Sequence, residues 1–392
     1  MKDELRALDR LAPVLDALPG RAYLVGGTVR DLLLGRPHRF DFDLAVVGDA
    51  EEFARELAEK LGGSVTLHGR FGTAVVRYGS SAHVDVASAR TETYAAPAAL
   101  PDVAPAQSIE EDLLRRDFTI NAMAIELPEA ELVDPRNGRE HLQDRLVRVL
   151  HERSFEDDPT RIFRAARYET RLGFRMDPKT ETLALMAVPL VRELSGARIR
   201  EELYAIFAED YPERALARLQ QLHVDEALNM VFVPVPGLLA RLHDLNDRYA
   251  LGLPAWHLGL LSVDAPPGML DELKVQGRVA GSVEAAHRDA RQLQQRLSQQ
   301  GTPAQIVAEV ERAGLDTALY ALALDDVSAL REYFERLRAV RLEIDGDDLA
   351  ALGLGESPRV GEVLAELRRR KLNGQLDGRA AELAAARELI AE

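Results

Sequence analysis

The hydrophobic pattern of this 392-residue chain changes character near residue 145, and that change limits the possible folds more than any other feature. Over residues 1–140, short β-like runs mix with helices. Residues 23–25, 43–47, 64–67, 73–77 and 83–86 have the length and β-branched content of strands. Residues 51–61 carry Phe53, Leu57 and Leu61 four apart, the spacing of a helix face. From about Arg145 the pattern is helical almost throughout, with helices expected at 161–172, 198–208, 212–222, 282–297 and 303–313. Proline and glycine clusters at 234–237 and 266–268 separate them. Residues 95–105, with Pro97, Pro101 and Pro105, read as an extended loop between strand and helix. The expected fold is therefore an α/β (α+β) head with a mixed β-sheet, followed by all-α segments.

Charge is distributed unevenly along this pattern. The chain holds 49 Lys+Arg against 65 Asp+Glu, a formal net charge of -16. Such a balance argues against non-specific coating of nucleic acid, because that affinity comes from Lys and Arg on phosphates. Residues 161–200 nevertheless hold nine Arg/Lys and four acids. Arg161, Arg164, Arg167, Arg171 and Arg175 recur at helical spacing, which gathers them near one face. That face is either solvated or the positive wall of a cleft. The absence of cysteine excludes disulfides, thiolate zinc sites and cysteine nucleophiles, and fits a reducing cytoplasm. The first residues read as an amphipathic helix rather than a signal peptide, and no apolar run reaches about 18 residues, so no membrane span is expected.

Four constellations carry chemistry. In Leu24-Val25-Gly26-Gly27-Thr28-Val29-Arg30-Asp31, a strand runs through two glycines into a helix. Backbone without Cβ lets a phosphate approach closely. The pattern is neither GxGxxG nor a Walker loop. In the second, Asp41-Phe42-Asp43 opens an apolar strand. Strand alternation puts Asp41 and Asp43 on one face, where two carboxylates can hold a pair of divalent cations. Mg²⁺ suits such hard oxygen ligands. Asp85 joins that face if its strand is the neighbour. In the third, Glu110-Glu111-Asp112 precedes Arg115-Arg116-Asp117-Phe118-Thr119-Ile120-Asn121. Two guanidiniums, a carboxylate and an amide can grip phosphates and ribose hydroxyls; a surface ion-pair cluster has the same composition. In the fourth, Asp157-Asp158-Pro159-Thr160-Arg161 opens the arginine-striped helix. Asp158 and Arg161 face one way and can pair with a nucleobase edge, or serve only as a cap and its ion-pair partner.

Taken in order, GGTVRD, Asp41-Phe42-Asp43, RRDFTINAMA and DDPTRIFRAARY resemble the bacterial class of tRNA nucleotidyltransferases and the related poly(A) polymerases. A fifth family element, RxxxEL, resembles Arg198-Ile199-Arg200-Glu201-Glu202-Leu203. The likeness is strong over residues 20–210 and weaker beyond. There Asp345-Gly346-Asp347-Asp348-Leu349, Leu352-Gly353 and Val360-Gly361 resemble the tail of some members. The resemblance implies a nucleotidyltransferase head at 1–145, a base-recognising neck at 146–210, a body at 211–325 and a tRNA-binding tail at 326–392. It also implies transfer of CMP and/or AMP from CTP or ATP to a tRNA 3′ end, with pyrophosphate release. Asp41 and Asp43 would hold two Mg²⁺, with Asp85 as a third carboxylate. Gly26, Gly27 and Arg30 would contact the triphosphate, while Arg116, Asp117 and Asn121 would hold sugar and phosphates. Asp158 and Arg161, flanked by Arg164 and Arg167, would read the base. Arg171, Arg175, Arg198 and the run Arg368, Arg369, Arg370 and Lys371 are candidate RNA contacts. One departure is Asp157, where the family commonly has Glu.

Within the family, full CCA addition, CC-only addition, A-only addition and poly(A) synthesis compete. The chain lacks the basic C-terminal extension usual in the polymerases, which favours tRNA. Its 90–108 segment is not evidently short, which leans towards CCA or A-only addition. A reading from another class rests on His243-Asp244 with His223, His257 and Asp247, the pattern of HD metal phosphohydrolases. That segment also reads as an ordinary body helix.

Overall fold

The computed structural model describes residues 2–36, 42–68, 72–298 and 301–391. The chain forms two compact units, Met1–Asn229 and Met230–Glu392. In the first, the strands are β1 (Ala22–Val25), β2 (Phe42–Val46), β3 (Ser64–His68), β4 (Thr73–Tyr78), β5 (Ala82–Ser88), β6 (Arg90–Thr93), β7 (Asp102–Pro105), β8 (Ala124–Leu127) and β9 (Glu131–Val133). Seven form one sheet in the order β3-β4-β5-β2-β1-β8-β9. All its ladders are antiparallel except β2–β5. All four residues of the central strand β1 are buried, which explains its unbroken apolar run. Below the sheet, the Ala50–Lys60 helix buries Ala50, Ala54, Leu57 and Ala58, capped by Asp49 on the N–H groups of Glu51 and Glu52.

The Ile109–Leu114 helix seats on the sheet through Ile109 and Leu113, which pack with Tyr23, Val25, Ala45 and Ala124. This packing fixes where Arg115 and Arg116 emerge. The Thr160–Leu172 helix begins after Pro159 and ends at Gly173, whose φ of 68° stops it.

Two expectations need correction. Residues 102–105 are not loop: β7 pairs with β6, Arg90 opposite Pro105 and Glu92 opposite Val103. This ribbon has two strands, so it lacks the apolar alternation that marks a strand in sequence. Pro105 sits at the strand end, where its missing N–H costs least. The arginine stripe also stops earlier than the spacing predicts. Arg175 lies beyond Gly173, on a two-residue strand pairing with Leu146 and Val147.

The second unit is helical. Its terminal segment closes around Ile344, Leu349, Val363, Leu367, Ala385 and Ala386. Asp345 caps the Gly346–Ala351 helix in a capping box with Asp348. Glu382, fully buried, accepts the N–H groups of Glu343 (2.8 Å) and Ile344 (3.2 Å) and a 2.5 Å bond from Lys371 Nζ. Lys371 is thus part of the packing of this segment. Lys371→Ala is expected to lower stability by about 2 kcal/mol, the worth of one hydrogen bond to a charged group. Urea unfolding of the full chain checks it; an unchanged midpoint would remove Lys371 from the fold and return it to the surface.

Candidate functional site

Asp43 on β2 lies in register with Asp85 on β5 in the parallel ladder, so the two side chains share a face of the sheet. Neighbouring strands are about 4.8 Å apart, which puts two carboxylate stems side by side. Asp41 lies outside the described residues. At the end of β1, Gly26 adopts φ 74°, ψ -141°, and its φ is in the range that favours glycine. A Cβ there would lie 3.4 Å from Arg116 Nη1 and 3.9 Å from Asp43 Oδ2. The glycine turn, the Arg116 guanidinium and the Asp43 carboxylate therefore converge. Gly26→Ala is expected to cost about 1–3 kcal/mol of stability through backbone strain. A shift of the strained turn beside Arg116 and Asp43 should lower turnover by about tenfold or more. Denaturation and nucleotide-incorporation assays read the two effects separately.

From this point a cleft of about 500 Å³ opens, lined by Gly26, Gly27, Arg116, Asp117, Asn121, Asp158, Arg161, Arg164 and Arg198, among others. A second cavity of about 420 Å³ is lined by Asp43 and Asp85 and shares Arg115 and Arg116 with the first. Asp112, 1% exposed, accepts from Arg115 Nε (2.9 Å) and Arg116 Nη2 (2.9 Å) and so aims both arginines. Burial would raise the Asp112 carboxyl, but the Arg116 and Arg115 charges outweigh it and hold it below the usual range.

One relay joins three motifs. Arg30 donates to Asp31 (2.9 Å) and to Asn121 Oδ1 (2.7 Å). Asn121 Nδ2 donates to Asp117 Oδ1 (3.0 Å), and Arg164 grips Asp117 Oδ2 through Nε (2.9 Å) and Nη2 (2.6 Å). Burial would raise the Asp117 carboxyl; the Arg164 charge and the bonds from Asn121, Arg164 and the Phe118 N–H overturn that and depress it. Arg30 is only 4% exposed and lies under the glycine turn, its Nη2 3.2 Å from where a Gly27 Cβ would be.

In the fourth motif the ion-pair partner of Asp158 is Arg198 rather than Arg161. Asp158 Oδ1 accepts from the Thr160 N–H (3.0 Å) and hydroxyl (2.6 Å), a side-chain turn just before the helix, whose N-cap is Pro159. It also pairs with Arg198 Nη2 (2.7 Å) while lining the cleft. Arg161, 4% exposed, donates to the Ser154 hydroxyl (2.6 Å) and to the Arg115 carbonyl (2.9 Å). Arg30, Arg164, Arg167 and Arg171 surround the Tyr168 ring at 5.5–6.0 Å. Glu202 and Glu209 neutralise part of this wall, through Arg167 and Arg171. Burial raises the Glu202 carboxyl against the pull of Arg164 and Arg167. Its Oε2, like Arg167 Nε, is buried with no hydrogen-bond partner among the described residues.

Glu92, Tyr94, Asp112, Tyr168 and Glu202 belong to this site but were not predicted. Asp112 was readable, three and four residues before the arginines it holds; Glu92 and Tyr94 sit on a ribbon with no sequence signal. Burial pushes the Tyr94 hydroxyl up to about 12. The tail run lies in the second unit, with Arg368 on Glu311 (2.7 Å), and Arg369 (2.6 Å) and Arg370 (2.9 Å) on Glu366. The HD pattern does not assemble. His223 bonds Glu226, His257 bonds Asp316, and among the described residues no group of three His, Cys, Asp or Glu is placed to hold a metal ion.

Paired strand carboxylates, a glycine turn and an arginine-rich cleft on a mixed sheet define a nucleotidyltransferase-type head followed by helices. Residues 22–148 match the model described as Poly A polymerase head domain, and residues 173–229 that of a probable RNA and SrmB-binding site of polymerase A. A CC-adding tRNA nucleotidyltransferase of Deinococcus radiodurans is 30% identical over 361 residues, 88% of this chain and 83% of that protein. An A-adding tRNA nucleotidyltransferase of Geobacter sulfurreducens is 34% identical over 395 residues, 93% of this chain but 44% of that protein. The solved Thermotoga maritima CCA-adding enzyme complexed with tRNA superposes with a TM-score of 0.74 at 29% identity, over 95% of this chain and 91% of that one. The chain belongs to the family of tRNA nucleotidyltransferases and poly(A) polymerases. It spans about half the length of the A-adding relatives it matches first. No helix among the described residues is long and apolar enough to cross a membrane.

Proposed function

We propose that the chain transfers CMP and/or AMP from CTP or ATP to the 3′ end of tRNA in the cytoplasm, the 3′-oxygen bonding to the α-phosphorus as pyrophosphate leaves. The observation that carries this reading is the register of Asp43 with Asp85 beside Gly26 and Arg116, at the mouth of an arginine-lined cleft. Hard carboxylate oxygens suit Mg²⁺. Asp43 and Asp85, with Asp41 two residues before Asp43, would hold Mg²⁺. When bound, the metal supplies Lewis-acid stabilisation of phosphoryl charge and an activated 3′-hydroxyl. Gly26 and Gly27 leave the backbone open to the triphosphate. Arg116, aimed by Asp112, would pair with a phosphate oxygen. Asp117 and Asn121 keep Arg164 directed at the sugar–phosphate. In the neck, Asp158 offers an acceptor and Arg161 donors to the base edge.

Addition of A alone is the second reading, supported by the names of the relatives at 34–45% identity. One incubation separates them: tRNA lacking CCA, and tRNA ending in CC, each with CTP or ATP. CMP then AMP on the first substrate is the result for full CCA synthesis. AMP on the CC-ended tRNA alone means A-addition, CMP alone means CC-addition, and incorporation on neither sinks the tRNA reading.

A further inference from the structure

The β6–β7 hairpin carries two residues into the cleft that belong to none of the five motifs. Glu92, its side chain 8% exposed, accepts from Arg90 Nη2 (2.8 Å) and Arg115 Nη1 (3.1 Å) on one oxygen. The other oxygen accepts the Tyr94 hydroxyl at 3.1 Å. From Arg115 the connection runs on, because its carbonyl receives Arg161 Nη2. The hairpin also reaches Asp158. The Ala98 N–H donates to the Glu156 carbonyl (3.0 Å), and the Ala98 carbonyl accepts from Arg198 Nη1 (2.9 Å), whose Nη2 holds Asp158. Tyr94 lines the cleft together with Asp158 and Arg161.

Resting on the function proposed above, we propose that Tyr94 is a wall of the base pocket, contacting the nucleobase with its ring, and that Glu92 is the positioning residue that sets this wall. The hydroxyl of Tyr94 is spent on Glu92, so the ring is what remains to meet a flat partner. Such a contact is tolerant of base identity, because every base has a π-face. Selective hydrogen bonds stay with Asp158 and Arg161. Loss of the ring should therefore weaken CTP and ATP alike, and loss of the Glu92 charge should do the same more mildly, by loosening the Tyr94 hydroxyl and the Arg115 guanidinium.

The test measures equilibrium binding of CTP and ATP, and KM and kcat for each on tRNA, for Tyr94→Ala, Tyr94→Phe and Glu92→Gln. Tyr94→Ala should weaken both nucleotides about tenfold, and Tyr94→Phe only about two- to threefold, since the ring remains while its tether to Glu92 is lost. Glu92→Gln should raise KM for both nucleotides about threefold, with KM moving more than kcat. Tyr94→Ala and Glu92→Gln proteins that melt like the parent yet keep its KM for both nucleotides would overturn the proposal. If the parent adds nothing to tRNA while Tyr94→Ala still loses nucleotide binding, the wall stands and the tRNA reading falls. Should Glu92→Gln fail to fold, the Ala–Phe contrast at position 94 decides.

Discussion

Asp43→Ala is expected to lower nucleotide addition by about 10³-fold or more, because each tenfold in rate is about 1.4 kcal/mol and a carboxylate in the proposed metal-holding role would govern several. The protein should fold as before. Asp43 is an exposed position on β2, between the buried Phe42 and Leu44, so its loss leaves the core of the sheet intact. Retained tRNA binding with lost incorporation would separate chemistry from recognition. Circular dichroism and a gel-shift against tRNA give the two controls. Addition at the parent rate in the Asp43→Ala protein would refute the metal assignment and leave Asp43 as a strand-edge charge.

Asp117→Ala should act on stability as well as activity. Asp117 is 7% exposed and answers four donor groups on three residues. Breaking a buried ion pair typically costs about 3–5 kcal/mol. Arg164 is 34% exposed and can recover some solvation, which puts the expected loss near the lower bound, about 3 kcal/mol. The pH dependence has a definite sign. The carboxyl is depressed in the folded protein, so its contribution is complete above the ordinary value of 3.8 and disappears as pH falls through the lower folded value. Asp117→Asn should therefore be less acid-sensitive than the parent between 3.8 and that lower value. Glu202 has the opposite sign. Its carboxyl is raised, so the folded state holds a proton that the unfolded chain has released, and stability declines as pH rises past 4.5. Glu202→Gln should flatten that decline. Urea midpoints measured across the acid range read both slopes, and parallel curves for parent and variants would exclude these two groups.

Legibility from the sequence followed how locally each feature is specified. β1 and β2 were readable because both lie inside the sheet and read as apolar runs. The Thr160–Leu172 helix was readable from its Pro159 start, yet its arginine stripe was overextended because Gly173 stops the helix before Arg175. β7 was missed because a two-stranded ribbon needs no apolar face. Among site residues, the motifs supplied Asp43, Arg116, Asp117 and Asp158 from types and spacing. What spacing could not supply was the partner. Arg30 bonds a residue 91 positions away, and Arg164 one 47 away. A chain read locally shows a guanidinium as available; only the fold reveals that Arg30 is committed to Asn121.

The relay from Asp31 through Arg30, Asn121 and Asp117 to Arg164 has a consequence for building hybrids of family members. Three stretches of sequence, separated by dozens of residues, behave as one inherited part. A graft that imports only the Thr160–Leu172 helix from a relative would bring an Arg164 equivalent against a foreign carboxylate. Hybrids whose crossovers fall between positions 31 and 117, or 121 and 164, should lose more function than their parental identity suggests. Moving all three stretches together should restore it.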